Sequence, residues 1–325
     1  QMEYRMQHPH AEKLADVAAI TDGFAGLGYI CSKAIATALF IAGNLGKPLL
    51  VEGPAGVGKT ELANTMAAFV ELPMIRLQCY EGLDEAKALY EWRYAKQLLY
   101  TQILRDKIGE VLGGAETLKD SMARLHAHSD LFFSEQFVAP RPLLKALREE
   151  EGCVLLIDEI DKADHEFEAF LLEILSEFQV SIPELGTIKA KRRPFVFLTS
   201  NNTRELSDAL KRRCLHLYVP FPDAKLEQKI LRARVPEIAD SLMRQLVAFV
   251  QGVRELDLKK HPSVSETIDW ARALMLLNAS ELDGDLVRET LNVILKFEED
   301  IQAVDRQVLE LVRQSEKARP VAAAD

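Results

Sequence analysis

GPAGVGKT, residues 53–60, is the stretch on which the reading of this chain turns. The pattern G-x-x-x-x-G-K-[ST] is a phosphate loop. Its glycines permit a tight turn that aims successive N–H groups at an anion, and the following helix adds its positive end. Lys59 is the point charge for the β- and γ-phosphates, and Thr60 is the hydroxyl for Mg2+. Both flanks fit. Residues 48–51 form an apolar, strand-like run, and Leu62, Met66, Phe69 and Val70 recur at helical spacing after the loop. A glycine-rich turn with no ligand is the bland alternative, and it needs neither flank. The loop specifies a nucleoside triphosphate and leaves open what its energy does.

The 325 residues carry 40 Lys and Arg against 50 Asp and Glu, a net charge of −10. That balance argues against a chain whose main task is sequence-independent nucleic-acid binding, which works by neutralising phosphates. The length allows two domains and a sizeable core. Cys31, Cys79, Cys153 and Cys214 form no C-x-x-C pair and read as reduced, mostly buried thiols of a cytoplasmic protein. The opening QMEYRMQHPHAEKLAD is polar, so no secretory signal is expected. No apolar run reaches the roughly 18 residues of a membrane span. His8 with His10 and His126 with His128 are i,i+2 pairs, which do not share a helix face and read as ordinary histidines, not metal ligands.

Residues 1–22 are polar and read as frayed or helical, and 28–45 as a helix. Residues 73–79 alternate and read as a second strand. A long insertion spans 80–130, with a helical aromatic segment YEWRY at 90–94 and a glycine break at Gly113-Gly114. A helix over 141–150 precedes a buried strand at 153–157. Phe167, Phe170, Leu171, Ile174, Leu175 and Phe178 mark one face of a helix. Residues 181–190 look like a hairpin and 195–199 like another buried strand. Strands alternating with helices predict an α/β fold, with a parallel sheet covered on both faces. After Pro220-Phe-Pro222 the strand patterns stop, and helices are expected near 224–235, 237–254, 264–279 and 285–315. Residues 1–221 are therefore read as the nucleotide-binding core and 222–325 as an all-α lid domain. In the last helix Ile294, Phe297, Ile301, Val304, Val308 and Leu311 repeat every three or four residues, a coiled-coil-like seam. The seam reads as packing within its own domain, with docking of a partner or neighbouring subunit as the alternative. The tail from Pro320 is expected to be disordered.

VLLIDEID, residues 154–161, supplies the second half of the chemistry. A buried strand ending in Asp158-Glu159 sets two carboxylates at the edge of the sheet where the phosphate loop lies. Asp158 would support Mg2+ with Thr60, and Glu159 would polarise water as general base. Two N-cap acids on the next helix are the structural alternative. A glutamate dedicated to water points to hydrolysis, because a kinase delivers the phosphoryl group to a substrate hydroxyl. LTSNNT places Asn201 and Asn202 at the tip of the next strand, where an amide could orient the lytic water. LKRRCLHL then presents Arg212 and Arg213 as candidates for an arginine finger.

The order GPAGVGKT, VLLIDEID, LTSN, Arg pair, helical lid resembles AAA+ ATPases over nearly the whole chain. Within them the chain resembles the MoxR family, through GYICSKAIATALFIAGNLGKPLLVEGPAGVGKTELA, the long segment after the second strand and the hairpin SIPELGTIKA. DEIDKADHEFEAFLLE, LTSNNTRELSDALKRRC and HPSVSETIDWARAL are most similar to its CoxD-like branch, which is associated with maturation of carbon monoxide dehydrogenase and related molybdenum enzymes.

The resemblance implies an AAA+ P-loop core with a helix-2 insert in 80–130 and a hairpin before sensor 1 at 181–190, plus an all-α lid. It implies ATP and Mg2+ as ligands. Gly53, Pro54, Ala55, Gly56, Val57, Gly58, Lys59, Thr60 and Glu61 would hold the phosphates, and Gly28, Tyr29 and Ile30 would lie near the adenine. Asn201 matches the sensor asparagine. Arg213, with Arg212 the alternative, would act in trans on a neighbour's nucleotide, so a homo-oligomeric ring, usually a hexamer, is implied. A partner with a von Willebrand factor A domain and a client metalloenzyme complete the expectation. The alternative is an AAA+ motor acting on nucleic acid, with Lys189-Ala-Lys-Arg-Arg193 as its basic stretch. A small-molecule kinase or a GTPase is a further one, although no N-K-x-D guanine motif is present. One departure stands out: Glu266 aligns where many relatives carry the sensor 2 arginine of the lid, with Arg272 roughly two turns further on.

Overall fold

The apolar residues of three strands alternate between two cores. Leu49 and Val51, Val154 and Leu156, and Phe195 and Phe197 enter one cluster, while Leu50, Leu155, Ile157, Val196 and Leu198 enter the other. Strands buried on both faces read as continuous apolar runs and require helices on each side. The computed structural model describes residues 13–103, 117, 137–182 and 186–317.

The strands are β1 (Leu49–Glu52), β2 (Met74–Gln78), β3 (Tyr90–Trp92), β4 (Val138–Pro140), β5 (Val154–Asp158), β6 (Gln179–Ile182), β7 (Gly186–Lys189), β8 (Phe195–Ser200) and β9 (Leu215–Tyr218). Five of them form one parallel sheet in the order β2-β5-β8-β1-β9. The register pairs Glu52 with Ser200 and Gln78 with Asp158, so β1, β2, β5 and β8 end level at their carboxyl edge. The order of the strands opens a crevice there, the usual ligand position in such sheets.

Helices α1 (Val17–Gly26), α2 (Lys33–Leu45) and α3 (Lys59–Val70) cover one face. Helices α4 (Glu85–Leu89) and α5 (Tyr94–Ile103) follow β2; α6 (Pro142–Arg148) and α7 (His165–Glu177) cover the opposite face, and α8 (Asp208–Arg213) leads into β9. Beyond β9 the described elements are all helices: α9 (Ala224–Arg234), α10 (Asp240–Arg254), α11 (Val264–Leu276), α12 (Gly284–Ile294), α13 (Glu298–Asp305) and α14 (Val308–Glu316). They enclose a separate apolar cluster around the fully buried Trp270, whose indole N–H donates to Thr290 Oγ1 at 2.9 Å.

Four sequence expectations need correction. The helix expected over 28–45 begins only at Lys33: α1 ends at Gly26, and a turn through Gly28, at φ +78°, precedes α2. The aromatic segment at 90–94 is not helical. Tyr90–Trp92 pairs antiparallel with Val138–Pro140, a partner too distant in the chain for local spacing to reveal. The edge strand β9 was not anticipated, although Leu215 and Leu217 alternate with His216 and Tyr218. The single last helix is three. Leu295 leaves α12 in an extended conformation, and the buried Asp300 accepts the N–H groups of Lys259 and Lys260 at 2.8 and 3.1 Å, which fixes α13 from a different direction. The seam residues Ile294, Val304, Val308 and Leu311 are nonetheless buried together in the helical cluster. Gly113-Gly114, His8 with His10, His126 with His128, and the tail from Pro320 lie outside the described residues.

Glu227 joins three of the C-terminal helices. It is 1% exposed and accepts from Arg254 at 2.7 and 2.8 Å, from Thr267 at 2.9 Å and from Gln251 at 2.6 Å. Removing one partner of a buried pair leaves the other charge uncompensated. Glu227→Ala is expected to lower the unfolding free energy by about 3–5 kcal/mol, seen as a fall in the urea midpoint of the helical region.

Candidate nucleotide site

Gly58 is the N-cap of helix α3; it sits at φ +96° and offers no side-chain cap, so the first N–H groups of the helix remain available to an anion. At the other end of the loop, a Cβ on Gly53 would meet the Val219 carbonyl oxygen at 2.1 Å, so the loop leaves β1 pressed against the edge strand. At its apex, a Cβ on Gly56 would meet Ser263 atoms at 2.4 Å, so the loop touches the residue that caps α11.

The Lys59 ammonium donates to the Gly53 and Pro54 carbonyls and to Asn201 Oδ1, each at 2.7 Å. Burial lowers its pKa, and the charges of Asp161, Asp158 and Glu159 pull the other way. Thr60 Oγ1 lies 3.3 and 3.4 Å from the two carboxylate oxygens of Asp158. A hydroxyl and a carboxylate facing one point are hard oxygen donors. That set suits Mg2+, which takes one or two protein oxygens and completes its shell with water and substrate phosphate. Asp158 is also bound by the Thr199 hydroxyl and by Arg76 Nη2, the latter at 2.5 Å.

Glu159 occupies the left-handed region at φ 56°, an unusual conformation for a non-glycine residue, and its N–H donates to Thr199 Oγ1 at 2.9 Å. Its carboxylate accepts from Gln78 at 2.8 Å, Lys162 at 2.6 Å and Asn201 at 3.3 Å. Asn201 thus touches both Lys59 and Glu159, whereas Asn202 is exposed and turns back to Ser200. The tip is held from behind by the buried Asp161, which accepts from Asn201 N at 3.2 Å, Thr203 N at 3.0 Å and Thr203 Oγ1 at 2.6 Å. Burial would raise the Asp161 pKa, but these hydrogen bonds outweigh it and hold the carboxyl below its usual range. Cys79, just past β2, is buried near the same carboxylates. Burial first and their charge second push its thiol up to about 12, so it stays protonated at neutral pH.

The cleft has two compartments. A polar one of about 320 Å3 is bounded by Lys59, Thr60, Asp158, Glu159, Asn201 and Arg76. A largely apolar one of about 340 Å3 is walled by Gly28, Tyr29, Ile30, Val57, Ile230 and Ile268, with Arg234 and Arg272 at its margin. Gly56, Gly58, Glu61 and Ser265 border both. Tyr29 is held by edge contact with Phe24, ring centroids 5.8 Å apart, and burial raises its pKa. Arg234 reaches across from α9 to Glu61 at 2.6 Å.

The residue that α11 presents to the phosphate side is Ser265, not Glu266. Glu266 is consumed by a capping box, accepting from Ser263 N at 2.7 Å while Ser263 Oγ receives Glu266 N. Ser265, Ile268, Asp269 and Arg272 share the cleft-facing side of the helix, one residue out of phase with Glu266. Arg212 and Arg213 do not enter this cleft. They are exposed at the end of α8, where the Arg213 guanidinium bonds the Ser176 hydroxyl. Arg76, Gln78, Thr199, Asp161, Ser265 and Arg234 escaped the sequence reading; only the spacing S-x-x-E at 263–266 carried a usable signal, because it fixes the phase of α11.

A family model described as an AAA domain of the dynein-related subfamily matches residues 48–214. The chain belongs to this AAA family. Membership implies hydrolysis of a nucleoside triphosphate with a divalent metal, and AAA proteins commonly form oligomeric rings. Similar proteins include an uncharacterized protein of Staphylococcus haemolyticus (strain JCSC1435), 27% identical over 249 residues, which covers 75% of this chain and 80% of that one. Another is from Staphylococcus aureus (strain USA300), 26% identical over 246 residues, covering 74% and 79%. Among solved structures, the AAA chain has a loose likeness to the Thermotoga maritima RuvB Holliday junction branch migration motor, with TM-score 0.45 and 20% identity, covering 89% of this chain and 76% of that one. Among its described residues no helix is long and apolar enough to cross a membrane.

Proposed function

We propose that this AAA protein is a MoxR-type, CoxD-like ATPase that couples ATP hydrolysis to remodelling or maturation of a client metalloenzyme, working with a von Willebrand factor A-domain partner. The observation that carries the hydrolytic part is the convergence of Lys59, Thr60, Asp158, Glu159 and Asn201 on one polar compartment at the start of α3. Residues 1–221 would act as the core and 222–325 as the lid, with the apolar compartment beside Gly28, Tyr29 and Ile30 receiving the adenine. The motif set and the acidic charge favour a protein client over nucleic acid.

Thr60 and Asp158 would hold Mg2+, which when bound neutralises charge on the phosphates. The loop N–H groups and Lys59 would cradle the phosphate chain, with Lys59 exchanging its carbonyl and Asn201 partners for phosphate oxygens. Glu159 would accept a proton from water, and Asn201, already bonded to it, would orient that water. At the polar compartment the C-terminal helices offer Ser265, while Arg234 and Arg272 border the apolar compartment beside it. Arg213, or Arg212 beside it, faces outward and suits a role at a neighbouring subunit's nucleotide.

Glu159→Gln should retain ATP binding and lose hydrolysis by about 10²-fold or more, measured as phosphate release against equilibrium binding of labelled ATP. A wild-type rate in this variant would overturn the general-base role. Arg213→Ala alone should lose about 10³-fold, as finger removal does elsewhere. Mixed with Glu159→Gln subunits, it should regain activity well above either alone, because intact acids in one subunit meet an intact finger in the next. Absence of any recovery would show that each site is complete within one chain. The finer reading predicts that the ATP-locked Glu159→Gln protein, expressed with its neighbouring genes intact, co-purifies with a von Willebrand factor A-domain protein; repeated recovery without one would remove the CoxD-like assignment.

A further inference from the structure

Asp158 has no free oxygen. Its Oδ1 receives the Thr199 hydroxyl, and its Oδ2 receives Arg76 Nη2 at 2.5 Å. Thr60 Oγ1 straddles the carboxylate, 3.3 Å from Oδ1 and 3.4 Å from Oδ2, so the guanidinium on Oδ2 covers part of the face that the hydroxyl approaches. Arg76 comes from β2, an edge strand of the sheet, and the same nitrogen donates to Gln78 Oε1 at 2.5 Å. Gln78 in turn donates to Glu159 Oε2 at 2.8 Å. One continuous chain therefore runs Asp158–Arg76–Gln78–Glu159. The two ends of the ion pair differ in freedom: the Asp158 side chain is 4% exposed and the Arg76 side chain 48%. A divalent cation and a guanidinium cannot both press on one carboxylate oxygen without strong like-charge repulsion, least of all in a partly dehydrated cleft. The aspartate is fixed by the sheet and by Thr199, so the arginine is the partner that can leave.

We propose that Arg76 is an internal counter-ion seated on the metal face of Asp158, which must swing outward before a divalent cation binds. The competition with metal rests on the ion pair alone and stands apart from the hydrolytic reading above.

The test uses the full-length, nucleotide-free protein and Mn2+ as probe, with free Mn2+ counted by electron paramagnetic resonance. Arg76→Gln should bind Mn2+ about tenfold more tightly than wild type, the effect of removing one adjacent like charge. Arg76→Lys keeps the charge and should stay near wild type. Adding Asp158→Asn to Arg76→Gln should abolish the gain, assigning it to this carboxylate and not to other surface acids. Equal Mn2+ affinity in wild type and Arg76→Gln, an equal gain in Arg76→Lys, or a gain that survives Asp158→Asn would each overturn the inference. Hydrolysis of Mg-ATP by the wild type is measured in parallel. If it is absent the hydrolytic reading falls, while the Mn2+ comparison still decides the role of Arg76.

Discussion

Everything at the nucleotide cleft depends on parallel pairing of β5 between β2 and β8. Parallel strands run in one direction, so the residues that follow them are delivered to one edge of the sheet. That pairing sets Asp158 opposite Gln78 and brings the Thr199 hydroxyl beside the Asp158 carboxylate. The same ladder, continued through β1, sets the phosphate loop level with both. The apolar residues of β1, β5 and β8 alternate between two buried cores, which fixes this register. A slip of one residue would turn every strand side chain to the other face and carry the acids away from the loop.

How far the sequence discloses this arrangement depends on the range of the forces involved. GPAGVGKT, the Asp158-Glu159 pair and Asn201 are legible because each is a short string whose neighbours already specify strand, turn or helix. Arg76 and Gln78 are not, because a polar residue on an alternating strand reads as a solvent face, and only the adjacent strand turns it into a partner. Tyr90–Trp92 is a strand because of a segment beginning at Val138, a relation with no local trace. Glu266 closes the cap of α11, and its neighbour Ser265 lines the cleft, one position away. On a helix that is a rotation of about 100°, enough to exchange the wall of a cleft for a cap. The cap itself is written in the spacing of Ser263 and Glu266, whose reciprocal hydrogen bonds set the phase of the helix.

The C-terminal helices follow a different logic. Their cohesion is apolar around Trp270, but their relative directions are set by buried polar groups: Glu227 between α9, α10 and α11, and Asp300 at the start of α13. Such groups tolerate little displacement because each lost bond leaves a desolvated partner. The helices are therefore suited to move as one stiff unit, and their regular apolar spacing conceals the breaks that Asp300 imposes.

The absence of a side chain at Gly56 acquires a mechanical meaning from this stiffness. The backbone of the phosphate loop lies against Ser263, where a single extra carbon would collide with the cap of α11. Any larger residue here would have to push the loop and the cap of α11 apart, and with the cap the helices that Glu227 ties to it. Glycine is what lets the loop and the helical unit share one boundary.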